Sequence, residues 1–157
     1  MKKFLQKKLK DQKGMTLIEL LAVIVIIAII AAIAIPAIGN IIENSRAGAI
    51  KSDALSALAA ANLYYADNPE ITTAVTIDTL TDGYLEDAGT FVDGDGDPVG
   101  SITTEGLITA VGTASGVSID FNGADKTAIN GSPNNTGNGE ALVAADHSGI
   151  GTVTFTR

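Results

Sequence analysis

Three aspartates alternate with small residues in the stretch FVDGDGDPVG: Asp93, Asp95 and Asp97. Alternate carboxylates on a turn-forming backbone can present oxygen ligands to calcium. Counted from Asp93, however, the sixth position is Pro98, where a calcium-hand loop needs glycine. The twelfth is Thr104, where it needs glutamate. Calcium held by Asp93, Asp95 and Asp97 is therefore one reading, and a turn using Asp and Gly for their backbone tolerance is the other. His147, beside Asp146, is the only histidine, and cysteine is absent. Disulfides, thiolate ligands and thiol nucleophiles are excluded, and most triad and metal-hydrolase schemes go with them. No nucleophile–base pair, phosphate-cradling loop or dense metal cluster is legible, so no enzymatic activity is expected.

A fourth carboxylate is more unusual. Glu19 lies at the edge of an apolar segment in which residues 20–35 carry no polar side chain. The nearly apolar stretch covers residues 15–38, interrupted by Thr16, Glu19 and Pro36. As a helix it extends ~36 Å, enough to cross a hydrocarbon core of ~30 Å. Nine of the sixteen residues in 20–35 are Ile or Val, which favour strands in water. In lipid the helix wins, because it satisfies its own backbone hydrogen bonds. A secretory signal peptide with a small-residue site at Ala32-Ile33-Ala34, or a plain signal anchor, would fit such a segment. Neither uses Glu19, and an acid within a bilayer costs ~3 kcal/mol on insertion scales unless it has a partner.

Charge divides the chain the same way. Residues 1–14 hold six lysines and one acid, whereas residues 15–157 hold four basic residues against 17 acidic ones, a net of −13. Clustered lysines keep the adjacent flank of a membrane segment in the cytoplasm. The acidic body repels a phosphate backbone, so direct nucleic-acid binding is not expected. With 157 residues the chain supports one modest domain and an N-terminal appendage.

The stretch KGMTLIELLAVIVIIAIIAAIAIP (residues 13–36) resembles the prepilin cleavage and methylation segment of type IV pilins and pseudopilins. Its parts are a basic leader ending in Gly14, an apolar Met15, then Thr16-Leu17-Ile18-Glu19-Leu20 and a long apolar helix with a proline. The resemblance implies cleavage between Gly14 and Met15 by a membrane-embedded prepilin peptidase and N-methylation of Met15. Met15 stands where phenylalanine is common in the family. The resemblance also implies that Glu19 pairs with the N-terminal amine of a neighbouring subunit and sets axial register. Pairing with its own amine, or neutralisation by burial, are the alternatives. Pro36 removes a backbone donor, and with Gly39 it marks where the helix would kink or melt on assembly.

Beyond the membrane segment, apolar residues recur at Ala47, Ile50, Ala54, Leu58, Ala61 and Tyr65, with Arg46, Lys51, Ser52, Ser56 and Asn62 assigned to the opposite face. That is an amphipathic helix over residues 40–67, ended by Asn68 and Pro69. Tyr64 and Tyr65 are expected to pack on a sheet. VGSITT and LITAVGT read as a hairpin about Glu105 and Gly106; GVSIDF is expected to stop at a turn formed by Asn122 and Gly123, and IGTVTFT is the last strand. The tract NGSPNNTGNG (residues 130–139) reads as a surface loop.

The expected class is α+β with a pilin fold, in which a long N-terminal helix, half transmembrane and half amphipathic, lies on a small antiparallel sheet. Its parts are a leader (1–14), a transmembrane and assembly helix (15–38), and a head domain (39–157) with helix 40–67 and a β-rich region 70–157. In TIDTLTDGYLED, Gly83, Tyr84 and Leu85 resemble the pilin segment that pins the connection after the helix. The family's frequent C-terminal disulfide loop is ruled out by the lack of cysteine.

The implied function is that of a type IV pilus subunit, membrane-bound before assembly and at the cell surface after it. A pseudopilin of a type II secretion or DNA-uptake machine is one alternative; a non-polymerising membrane-anchored binding module is another. The implied partners are further copies of the chain and other pilins, the prepilin peptidase, and the assembly platform protein and ATPase.

Overall fold

The computed structural model describes residues 16–132 and 152–156. The chain divides into two units, Met1–Gly39 and Asn40–Arg157. Helix α1, Leu17–Asp67, contributes to both. Gly14, Met15, His147 and positions 133–139 of the expected loop lie outside the described residues.

In the first unit the helix has an uninterrupted apolar surface. Every large apolar side chain from Leu17 to Ile38 is at least 45% exposed. An 18-residue window of mean hydropathy 3.2 makes this helix long and apolar enough to cross a membrane. The helix passes through Pro36 and Gly39 without a break. A Cβ added at Gly39 would meet nothing within 4 Å.

In the second unit α1 acquires a core. Ala47, Ile50, Ala54, Leu58 and Ala61 are buried as their spacing predicts, together with Ala57 and Ala60. One assignment is corrected: Lys51 is buried rather than placed on the outer face. At 3.6 residues per turn it falls between Ala47 and Ala54 on the apolar stripe, and its long apolar stem suits it to burial there. Asn68 closes the helix, its amide and side-chain nitrogen both donating to the Tyr64 carbonyl at 3.0 and 2.9 Å.

The sheet is built from β1 (Val75–Thr76), β2 (Ser101–Ile102), β3 (Ile108–Ala114), β4 (Val117–Ala124) and β5 (Thr152–Thr156). The strands lie in sequence order, and every neighbouring pair is antiparallel. Period-2 alternation sends Ile108, Ala110, Ile119, Phe121, Val153 and Phe155 into the core and leaves Thr109, Val111, Asp120 and Asn122 outside. Two short helices, α2 (Ile77–Thr81) and α3 (Lys126–Gly131), are capped by the side chains of Thr76 and Asp125. The β2–β3 hairpin about Glu105 and Gly106 is as expected.

The turn expected at Asn122 and Gly123 is absent, because β4 continues through both. The hairpin turn is instead at Ser115 (φ 44°) and Gly116 (φ 89°), between Ala114 and Val117. Two consecutive left-handed residues match the twist of a two-residue hairpin. Gly123 is the extra residue of a β-bulge, with Ala124 opposite Ile108 and Asn122 opposite Thr109. Its amide donates to the Thr109 hydroxyl at 3.2 Å.

The tyrosines join helix to sheet. The Tyr65 hydroxyl lies 2.7 Å from the Ile102 carbonyl and 3.0 Å from that of Thr73, and accepts from the Val75 amide at 2.9 Å. Tyr64 packs edge-on against Tyr65 and Tyr84, and the Tyr84 hydroxyl donates to Asp67 Oδ2 at 3.2 Å. The connection after the helix is thus pinned at Tyr84, as expected from its sequence.

Close approach of helix and sheet depends on Gly112 in β3. A Cβ there would stand 2.4 Å from Ile50 Cγ2 and 3.1 Å from Phe91 Cε1. Gly112→Ala is expected to cost ~1–3 kcal/mol through overpacking, measured by denaturant unfolding of the detergent-solubilised chain. Gly131→Ala, where a Cβ meets nothing within 4 Å, is the matched control and should change stability by less than ~0.5 kcal/mol.

Candidate functional site

The start of the apolar helix is closed by its own side chains. The Glu19 carboxylate Oε2 accepts from the Thr16 amide at 2.7 Å and from the Thr16 hydroxyl at 2.9 Å. In return the Glu19 amide donates to the Thr16 hydroxyl at 3.3 Å. This is a capping box: a hydroxyl residue at the N-cap and a glutamate three positions on satisfy each other's orphan amides. Helix-first-turn placement also suits a carboxylate to the positive end of the helix dipole. The Thr-x-x-Glu spacing before an apolar run is the sequence signal of this cap. Glu19 is exposed while it makes these contacts, so the carboxylate is held at the rim of the helix with room for an incoming cation.

The aspartate stretch is organised around one of its three members. Asp93 Oδ1 accepts from the amides of Asp95 and Asp97 at 2.9 and 3.0 Å, while the Asp93 amide donates to the Asp97 carbonyl at 2.9 Å. The Asp97 and Asp95 amides hold the Asp93 carboxyl below its ordinary value. Gly96 supplies the left-handed residue, at φ 92°. The side chain of Asp93 therefore performs an Asx-turn role. Among the described residues no group of three His, Cys, Asp or Glu side chains is placed to hold a metal ion.

Lys51, Asp53 and Arg46 make long-range contacts that periodicity alone does not reveal. Asp53 Oδ2 accepts from the Thr90 amide at 2.9 Å, beside Gly89, whose added Cβ would lie 2.5 Å from the same oxygen. Arg46 Nη1 donates to the Ser115 carbonyl at 2.8 Å and holds the β3–β4 turn to the helix. Lys51 Nζ donates to the carbonyl of Ser132 at the end of α3 and lies 5.9 Å from the centroid of the Phe155 ring. Burial lowers its pKa from the ordinary 10.5 to about 8.

An exposed apolar helix start, followed by an amphipathic half that carries a five-stranded antiparallel sheet, is the α+β arrangement of the pilin fold. Residues 9–35 match the family model described as the prokaryotic N-terminal methylation motif. The chain therefore carries a prepilin-type N-terminal segment and is pilin-like, a description that includes pseudopilins. No curated protein and no solved structure matches it.

Two expected outcomes concern these side chains. Asp93→Ala should lower the melting temperature, whereas Asp95→Ala, which removes a side chain the turn does not use, should leave it nearly unchanged. Equal losses, with calcium raising the wild-type value, would support the metal reading. Because the Asp93 carboxyl is depressed in the fold, its stabilisation is present above its ordinary range and is lost as pH falls through the folded value. For Lys51 the sign is opposite. The unfolded chain holds the extra proton between about pH 8 and 10.5, so stability contributed by this group rises as pH is raised through that window. The difference in unfolding free energy between wild type and Lys51→Met should therefore shift in favour of the wild type from pH 7 to 10.

Proposed function

We propose that the chain is the structural subunit of a type IV pilus and polymerises through its N-terminal helix after cleavage between Gly14 and Met15. The observation that carries this reading is the helix beginning at Leu17, apolar on every side and exposed, with a single carboxylate presented at its start. Lipid can cover such a surface before assembly, and further copies of the same helix can cover it afterwards. Cleavage frees an ammonium on Met15, close in sequence to the cap. In the filament Glu19 meets the corresponding amine of a neighbouring subunit. Paired, the two charges are tolerated in an apolar setting where either alone is costly, and the pair admits one axial register.

The capping box refines the role of Glu19. Thr16 satisfies the carboxylate during the membrane-bound stage, so the acid has a partner before the neighbouring amine arrives. The membrane segment, basic leader and prepilin-type motif support processing by a prepilin peptidase and handling by an assembly platform protein and ATPase. Calcium is given no part in assembly.

Substitution of the acid tests the assembly role. Glu19→Ala should leave the precursor made and membrane-inserted, as read by membrane fractionation. Its incorporation into sheared surface filaments should fall to a small fraction of wild type. An unchanged filament yield would contradict the proposed pairing.

A further inference from the structure

The head is acidic, and among the described residues Lys51 is a buried cation with no carboxylate paired to it. Residues 40–157 hold 16 acidic residues against Arg46, Lys51, Lys126 and Arg157. Lys51 is only 8% exposed, and no ion pair reaches it among the described residues. Its ammonium has three N–H donors. One is taken by the Ser132 carbonyl and one side is covered by the Phe155 ring, so hydrogen-bonding capacity remains. A buried charge without a partner is costly, and the cost is relieved when an opposite charge is brought to it.

The space beside Lys51 can admit that partner. A cavity of about 440 Å³ is bordered by Lys51, Ser52, Asn130 and Ser132, with Leu55 and Ile129 as apolar walls. Among the described residues no acidic side chain borders it. The Ser52 hydroxyl and Asn130 amide are donors suited to a carboxylate that contacts the ammonium. The same head exposes Glu70, Asp78, Asp82, Glu86 and Asp87, so a neighbouring copy offers carboxylates in excess.

We propose that the Lys51 cavity is a docking site between subunits, receiving an exposed carboxylate from a second copy of this chain. The inference rests on the polymer reading above and adds to it a contact between heads, separate from the Glu19 pair. It also gives the acidic heads a specific attraction to set against their mutual repulsion. Lowering of the Lys51 pKa by burial is what an unpaired docking cation would show in a free subunit.

The test is zero-length carbodiimide coupling, which joins an amine to a carboxylate only when the two are in contact. Filaments assembled from mixed light and heavy-isotope subunits are treated, digested and analysed by mass spectrometry, with detergent-dispersed full-length subunits as the comparison. The expected result is a mixed-isotope peptide joining Lys51 to an Asp or Glu, present in filaments and lost in dispersed subunits. Lys51→Arg, which keeps the charge but does not couple, should assemble normally and lose that peptide. Filaments in which Lys51 stays uncoupled, or couples only within its own chain, would overturn the docking site and leave the polymer reading intact. Absence of filaments by electron microscopy would overturn both.

Discussion

Fourteen large apolar side chains between Leu17 and Ile38 stand exposed on one helix, and this surface sets the conditions for the rest of the molecule. Covering an aliphatic side chain is worth ~1.5–3 kcal/mol, so the whole surface is worth tens of kcal/mol. Folded domains are stable by only ~5–15 kcal/mol, so no local adjustment of the head could compensate for leaving that helix in water. The surface requires a second phase to cover it: lipid does so in the membrane, and other helices do so in the proposed filament. The head has to fold independently of that exchange, and its core accordingly begins at Ala47, beyond the exposed Ile41 and Ile42.

The capping box is the polar counterpart of this constraint. A lone carboxylate at the edge of an apolar helix would be unfavourable during membrane residence. The amide and hydroxyl of Thr16 meet it at hydrogen-bond distance, and the same arrangement satisfies donors that every helix start leaves free. One residue thus serves the helix start, and in the proposed filament it is the group that meets a neighbouring amine.

Much of this was legible in the sequence because burial follows periodicity. Steps of three and four from Ala47 to Ala61 identified the helix stripe, and alternation identified β3, β4 and β5. Local sequence is ambiguous where one residue type serves two geometries. Asn122 and Gly123 carry the strongest hairpin signal in the chain, yet Gly123 uses its left-handed backbone for a bulge, and Ser115 and Gly116 make the turn. Pairing across strands decides between those uses, and pairing is not a local property. At Lys51 charge and angle point opposite ways: its position lies on the buried stripe, while its ammonium favours solvent. The contacts of Asp53 with Thr90 and of Arg46 with Ser115 span 37 and 69 positions, beyond any local pattern.

The central claim is that this apolar helix is processed at Gly14 and then becomes the core of a filament. Intact mass and N-terminal sequencing of filaments sheared from the cell surface test it most directly. The expected result is a chain beginning with N-methyl-Met15. A chain beginning after Ala34, or one retaining residues 1–14, would contradict it.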